Sequence, residues 1–202
     1  MYIPKLYREE DRVKILEFLQ QNNFPALVSH NGESLVAAHL PVEIEAGEHD
    51  KLAIYGHMSR ANSQWKSFGE QEVMFIFQGA HTYISPTWYD HVNVPTWNYM
   101  MVHVYGKVRL LEGEELYAVL SRLVKRHEAK SSYRLESLPQ DFVEREMKGI
   151  VGFAVEVTRI DAGYKLSQNR DDANHANVIL ELEKREDVAS REVAKAMRKN
   201  RG

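Results

Sequence analysis

Three segments of this 202-residue chain concentrate side chains able to hold charge or a flat ligand. Residues 56–65, GHMSRANSQW, place the Ser59 hydroxyl and the Arg60 guanidinium after a strand-like run and before helix-forming residues. A hydroxyl, a guanidinium and the open backbone N–H groups of a helix start form the donor set that a phosphate dianion takes. An N-cap beside a solvated arginine is the plainer reading of the same spacing. Residues 164–170, YKLSQNR, gather Lys165, Ser167, Gln168, Asn169 and Arg170 just ahead of another helical pattern, a donor cluster that also reads as a polar turn with an N-cap. Between His81 and Tyr105 lie Tyr83, Trp88, Tyr89, Trp97, Tyr99 and Tyr105, six aromatics in 25 residues against 10% in the whole chain. Tyr83, Tyr99 and Tyr105 fall in strand patterns, where filling a core explains them as well as binding does. Trp88 and Tyr89 sit in a loop stiffened at its ends by Pro86 and Pro95, with Trp97 just beyond it. An aromatic loop is unfavourable to leave in water, so it is expected to lie over a ligand or against a partner chain.

The elements that must position these groups are legible from periodicity. Val13, Leu16 and Leu19, widened by Ile15 and Phe18, predict a helix from about Asp11 to Asn22. Asn31-Gly32 between two apolar runs predicts a hairpin of two antiparallel strands across FPALVSH and ESLVAAHLPVEIE. Further strands are predicted at 52–57, 72–79, 82–85, 96–111 and 152–161. Helices are predicted at about 113–128, from Pro139 to near Gly149, and at about 171–183 and 186–200. Strands with irregularly inserted helices do not match a parallel βαβ layout. Closure into a small barrel would remove the sheet edges.

Composition narrows the function classes. Zero cysteines exclude thiolate nucleophiles, disulfides and cysteine-held zinc or iron-sulfur centres. No apolar run reaches the ~18 residues of a membrane span and the first residues lack signal-peptide order, so a soluble, cytoplasmic protein is expected. Rossmann, Walker A, nucleophile-elbow and zincin motifs are missing, and the nine histidines show no recognised metal-ligand spacing, so no metal is expected. With 26 Lys and Arg against 29 Asp and Glu, the net charge of −3 gives no general pull toward nucleic acid. Arg191, Lys195, Arg198, Lys199 and Arg201 form one local basic face, backed by the apolar stripe Ala189, Val193, Ala196 and Met197. An ordinary amphipathic helix fits that pattern better than a DNA-reading one.

MYIPKLY at the start, AHLPV at 38–42, GHMSRANSQW, ISPTWY, VPTWNY, VHVYG and KLSQNR occur in order along nearly the whole chain. Together they resemble the PaiB family, FMN-binding negative transcriptional regulators of protease synthesis and sporulation. The resemblance implies an α+β fold of mainly β type: a single FMN-binding split β-barrel domain over 1–202, of Greek-key type and related to pyridoxamine 5′-phosphate oxidase. Its C-terminal helical extension would cover about 171–200. It also implies a homodimer with the flavin site at the subunit interface.

Carried over by position, the family pattern assigns His57, Ser59, Arg60 and Asn62 to the FMN phosphate, and His39 and Leu40 to a strand beside the cofactor. Tyr83, Ser85 and Trp88 would line the isoalloxazine or ribityl chain, with Trp97 and Asn98 reaching across the dimer. Lys165, Gln168 and Asn169 would meet the flavin edge, where donors stabilise the anionic reduced form. Two positions depart from the pattern: Ala38, where threonine is frequent, and Ser63, where proline is common. The function implied is an FMN-binding regulator. The alternatives are an FMN-dependent oxidoreductase with no acid-base pair identifiable in the sequence, and an interaction protein with a degenerate site. DNA is a partner by family name and is not supported by the charge.

Overall fold

Alternation and helical spacing are realised almost where the sequence places them. The computed structural model describes residues 1–46, 52–69 and 71–201. In chain order its elements are α1 (Arg12–Gln21), β1 (Ala26–His30), β2 (Leu35–His39), β3 (Val42–Ala46), β4 (Leu52–Ser59), β5 (Val73–Ile84), β6 (Thr96–Leu111), α2 (Gly113–His127), α3 (Gln140–Lys148), β7 (Ile150–Lys165), α4 (Asp172–Glu183) and α5 (Val188–Arg201). Asp11 starts α1, its Oδ1 accepting from the Val13 and Lys14 N–H groups at 2.9 and 3.2 Å. Acidic Glu114 and Glu115 open α2 and Lys125, Arg126 and His127 close it, as the helix dipole favours.

The strands form one sheet in the order β2-β1-β5-β6-β7-β4-β3. The hairpin expected around Asn31-Gly32 is present, with Ala26 opposite His39 and His30 opposite Leu35. Its second strand, however, ends at His39. Pro41 has no N–H for a ladder, and beyond it the chain starts β3, which pairs with β4 at the far edge of the sheet. β2 and β3 are therefore the two edges, and the expected closure into a barrel is replaced by an open ladder among the described residues. The edge at β3 is held by α2: Arg126 Nη1 reaches Glu43 Oε2 at 2.6 Å and Arg122 Nε reaches Glu45 Oε1 at 2.9 Å. The strands expected separately at 72–79 and 82–85 are one strand, β5. Gly79 keeps it extended while clearing room for Phe18, whose ring would lie 2.5 Å from a Cβ there.

The chain divides into two compact units made of interleaved segments. The larger, residues 19–77 and 104–160, contains β1 to β4, α2, α3 and the adjoining parts of β5, β6 and β7. Its core includes Leu27, Ile44, Ile54, Phe75, Phe77 and Phe153, all essentially without exposure. Leu116 and Val119 of α2 pack with Leu111 against Tyr55 and Ile150. The other unit, residues 1–18, 78–103 and 161–202, holds the remaining parts of those three strands together with most of α1, α4 and α5. Val178, Leu182, Val193 and Met197 form its dry helix seam, and Thr82 Oγ1 meets Ser190 Oγ at 2.9 Å.

Candidate functional site

The predicted residues fall in both units. In the larger, Ser59 ends β4 and Arg60 follows it, both exposed. The helix start expected there takes a different form. A five-residue 3-10 turn, Ser63–Ser67, follows, and its cap is Asn62, whose side chain accepts from Gln64 N–H at 3.0 Å. The N–H groups on the way are used within the chain: Arg60 to Gly149 O at 2.9 Å, Asn62 to Ser59 O at 3.0 Å and Ala61 to Ser59 Oγ at 3.3 Å. The backbone cradle read from the sequence is thus already filled, because residues 59–62 make their own turn before the 3-10 segment begins.

Arg60 is also engaged. Its Nε donates to Lys148 O at 2.8 Å and its Nη2 to Ile150 O at 2.9 Å, across the junction of α3 and β7. A guanidinium has five N–H donors, so part of the fork remains for a ligand. Gln64, which the motif reading passed over, lashes the turn to the hairpin: it is 4% exposed, and its Nε2 donates to Leu27 O and Ser29 Oγ, both at 3.1 Å. A glutamine two residues after an asparagine cap carries no sequence signal for such burial. Ser63 occupies the first position of the turn, a place where a proline would lose no needed N–H.

His57 lies opposite Gly152 in the β4–β7 ladder, and burial holds its imidazole below the ordinary histidine range. His39 is exposed at the end of β2 and stacks on Phe24 at 6.3 Å. Leu40 is buried beside Gly56, so its side chain belongs to the core.

In the other unit, Tyr83 of β5 and Trp97 of β6 meet edge to face at 6.3 Å, and His81 lies 6.0 Å from the same indole. His81 and Tyr83 are two apart on β5 and share its face. Tyr83 remains 39% and Trp97 52% exposed, so this wall of rings is open. His81 was not singled out from sequence; alternation with Tyr83 was the signal that would have found it.

The chain's own C-terminal segment packs on the aromatic loop. Asn174 binds Asp90 through N–H and carboxylate at 3.1 and 2.9 Å. Asn177 Nδ2 donates to Trp88 O at 2.6 Å, Arg185 lies 4.8 Å over the Trp88 ring, and Arg170 lies 4.6 Å over Tyr89. Val92 and Val94 are the large apolar residues of the loop left strongly exposed. Ser85 caps the 3-10 turn Pro86–Trp88, accepting from Thr87 N–H at 3.3 Å.

At the end of β7, Lys165 Nζ donates to Thr96 Oγ1 and lies 6.0 Å from the Tyr7 ring centre. Burial, then the Arg170 charge, hold its ammonium below the ordinary lysine range. Gln168 has both amide atoms committed, its Oε1 accepting from Leu166 N–H at 2.7 Å and its Nε2 donating to Tyr164 O at 2.5 Å. Asn98 is fully buried and faces Ser167, whereas Asn169 is exposed.

Three cations on the basic face of α5 are paired within the chain. Arg198 forks onto Glu183 at 2.9 Å, Lys199 reaches Glu17 at 2.8 Å, and Arg191 Nε donates to Arg185 O at 3.0 Å. No helix among the described residues is long and apolar enough to cross a membrane.

Residues 1–159 match the family described as "Putative FMN-binding domain". The chain is 38% identical over 200 residues to the Protease synthase and sporulation protein PAI 2 of Bacillus subtilis, covering 98% of this chain and 96% of that protein. Among solved structures, the flavocytochrome Anf3 of Azotobacter vinelandii superposes with a TM-score of 0.58 at 12% identity, over 84% of this chain and 73% of that one. A FAD and heme binding protein of Mycobacterium smegmatis gives 0.56 at 10% identity, over 84% and 78%. At such identity these structures speak to fold alone, and the α+β split-barrel class expected from the sequence is the class observed.

Proposed function

The chain belongs to the FMN-binding domain family, and on that premise we propose that it is an FMN-binding regulator of the PaiB kind. The observation that carries the cofactor reading is the open wall of Tyr83, Trp97 and His81. Large aromatic surface left in water on a sheet face suits a flat conjugated ring, which buries apolar area on both partners. Lys165 and Asn169 in the same unit are the donors for the ring edge. The family pattern assigns the phosphate to Ser59 and the uncommitted part of the Arg60 fork. Bound FMN supplies electron-transfer chemistry, and the protein supplies orientation and electrostatics.

The domain reading extends over 1–202 as one cofactor domain, because β5, β6 and β7 each run through both compact units. The assembly is a homodimer with the flavin at its interface, a reading supported by the exposed Trp97 and Tyr83. Regulation through direct reading of DNA by α5 is not part of the proposal, since Arg191, Arg198 and Lys199 already have partners in the chain. Selective, salt-sensitive gel-shift binding at ~150 mM salt would reverse that view.

The visible spectrum of the purified protein, followed by titration of FMN fluorescence, tests the central reading. Flavin absorbance or saturable quenching is expected. A colourless protein that leaves FMN fluorescence unchanged refutes it.

A further inference from the structure

Ser167 is the one non-glycine residue with positive φ, 61°, among the described residues. Such a backbone is unfavourable for an L-residue and persists only where its surroundings fix it. Here the fixing groups are identifiable. Asn98 Nδ2 donates to Ser167 Oγ at 2.9 Å and the hydroxyl faces Asn98 Oδ1 at 3.2 Å, with Asn98 at 0% and Ser167 at 3% exposure. Met197 of α5 supplies a third contact, its Sδ 3.5 Å from Asn98 Nδ2. Gln168 ties the two sides of the turn through Leu166 N–H and Tyr164 O. Arg170 N–H closes on Ser167 O at 3.1 Å. An asparagine buried to this degree in a strand does nothing for apolar packing; what it adds is a unique partner and so a unique geometry.

Lys165 and Asn169 flank this turn directly. We propose that Asn98 and Ser167 are positioning residues, a buried pair that locks the left-handed turn and so sets where Lys165 and Asn169 present their donors, while Gln168 serves the turn and makes no ligand contact. The proposal rests on the reading that those two donors face the cofactor. It also explains how the Lys165 amine is kept half-buried beside Thr96 and the Tyr7 ring, where burial first and then the Arg170 charge hold it below the ordinary lysine range.

Two readouts test it on the full-length protein. One is the pH profile of Lys165 acylation by an amine-directed reagent, followed on its peptide by mass spectrometry without flavin. The other is FMN affinity by fluorescence quenching. Ser167→Ala and Ser167→Gly both remove the hydroxyl, but only glycine accepts positive φ without strain. Ser167→Ala and Asn98→Ala are expected to move the Lys165 profile to higher pH, toward a solvated lysine, while Ser167→Gly stays near the parent. Asn98→Ala releases Asn169 as well as Lys165 and should weaken FMN roughly tenfold or more, and the double variant with Lys165→Ala should lose less than the product of the two single effects. If the profile stays unmoved in Ser167→Ala and in folded Asn98→Ala, the positioning role is overturned whatever FMN does. If the profile moves but Lys165→Ala binds FMN normally, the positioning stands and the cofactor reading of Lys165 falls.

Discussion

Replacing Arg60 separates two roles that the structure gives to one side chain. Its Nε and Nη2 bonds to Lys148 O and Ile150 O hold the end of β4 against the α3–β7 junction. Each is a hydrogen bond from a charged donor, but Arg60 is exposed, so solvent screening reduces each to about 1 kcal/mol. Arg60→Ala should therefore lose about 2 kcal/mol, a fall in Tm of roughly 4–8 °C for a chain of this length. Arg60→Lys keeps the charge but lacks the planar fork, so it retains at most one of the two bonds and should lose about half as much. The backbone bond from Arg60 N–H to Gly149 O survives in both. If the remaining guanidinium donors meet the FMN phosphate, Arg60→Ala should also weaken FMN by about 1–3 kcal/mol, roughly 5- to 150-fold. Differential scanning calorimetry reads the first effect, and fluorescence titration well below the transition reads the second. A normal Tm in Arg60→Ala would sink the clamp. A lowered Tm with unchanged FMN affinity would sink the phosphate assignment and leave the clamp intact.

Trp97→Ala should weaken FMN by about 0.5–1.5 kcal/mol, roughly two- to tenfold, with little change in Tm because the indole is half in solvent; equal affinity would remove the aromatic wall from the site. Gly106→Ala should destabilise by about 1–3 kcal/mol, since a Cβ there would lie 2.5 Å from Glu156 O and from Val155 Cγ1 on the neighbouring strand. Urea unfolding that matches the parent would contradict that contact. Burial keeps the folded pKa of His57 below the ordinary value near 6.5, so the unfolded chain takes up its proton first as pH falls. Its neutral form thus contributes stability that is fully present above about 6.5 and is lost as pH drops toward the folded pKa. The parent should lose more stability between about pH 7.5 and about pH 5.5 than His57→Gln; equal losses by urea titration would refute it.

Element by element, the sequence was a close guide where the signal is local. β6 and α2 run at Thr96–Leu111 and Gly113–His127, almost where alternation and helical spacing put them. The hairpin turn at Asn31-Gly32 and the capping of α4 by Asp171 are equally local chemistry. The second hairpin strand was read straight through Pro41, where the structure breaks it into β2 and β3. What local sequence cannot specify is that β3 pairs at the opposite edge of the sheet, because the choice of partner strand is made by the whole ladder. The same limit divides the site. Tyr83 and Trp97 were found as an aromatic concentration, and the structure leaves them open. Arg60 was found as a cation, but its carbonyl partners lie 88 and 90 residues away. Asn98 was found through a motif, yet its partner Ser167 is 69 residues distant and the fold buries it completely.

Composition, periodicity and ordered motifs by themselves determined a cysteine-free α+β chain of one recognisable family, with its donor clusters and aromatic segment. Tertiary structure alone decided which of those groups face outward and which are consumed by the fold. The reason is physical: a side chain's type sets what it can bind, but its hydrogen-bond partners and exposure are set by chain segments that the sheet brings together from far apart.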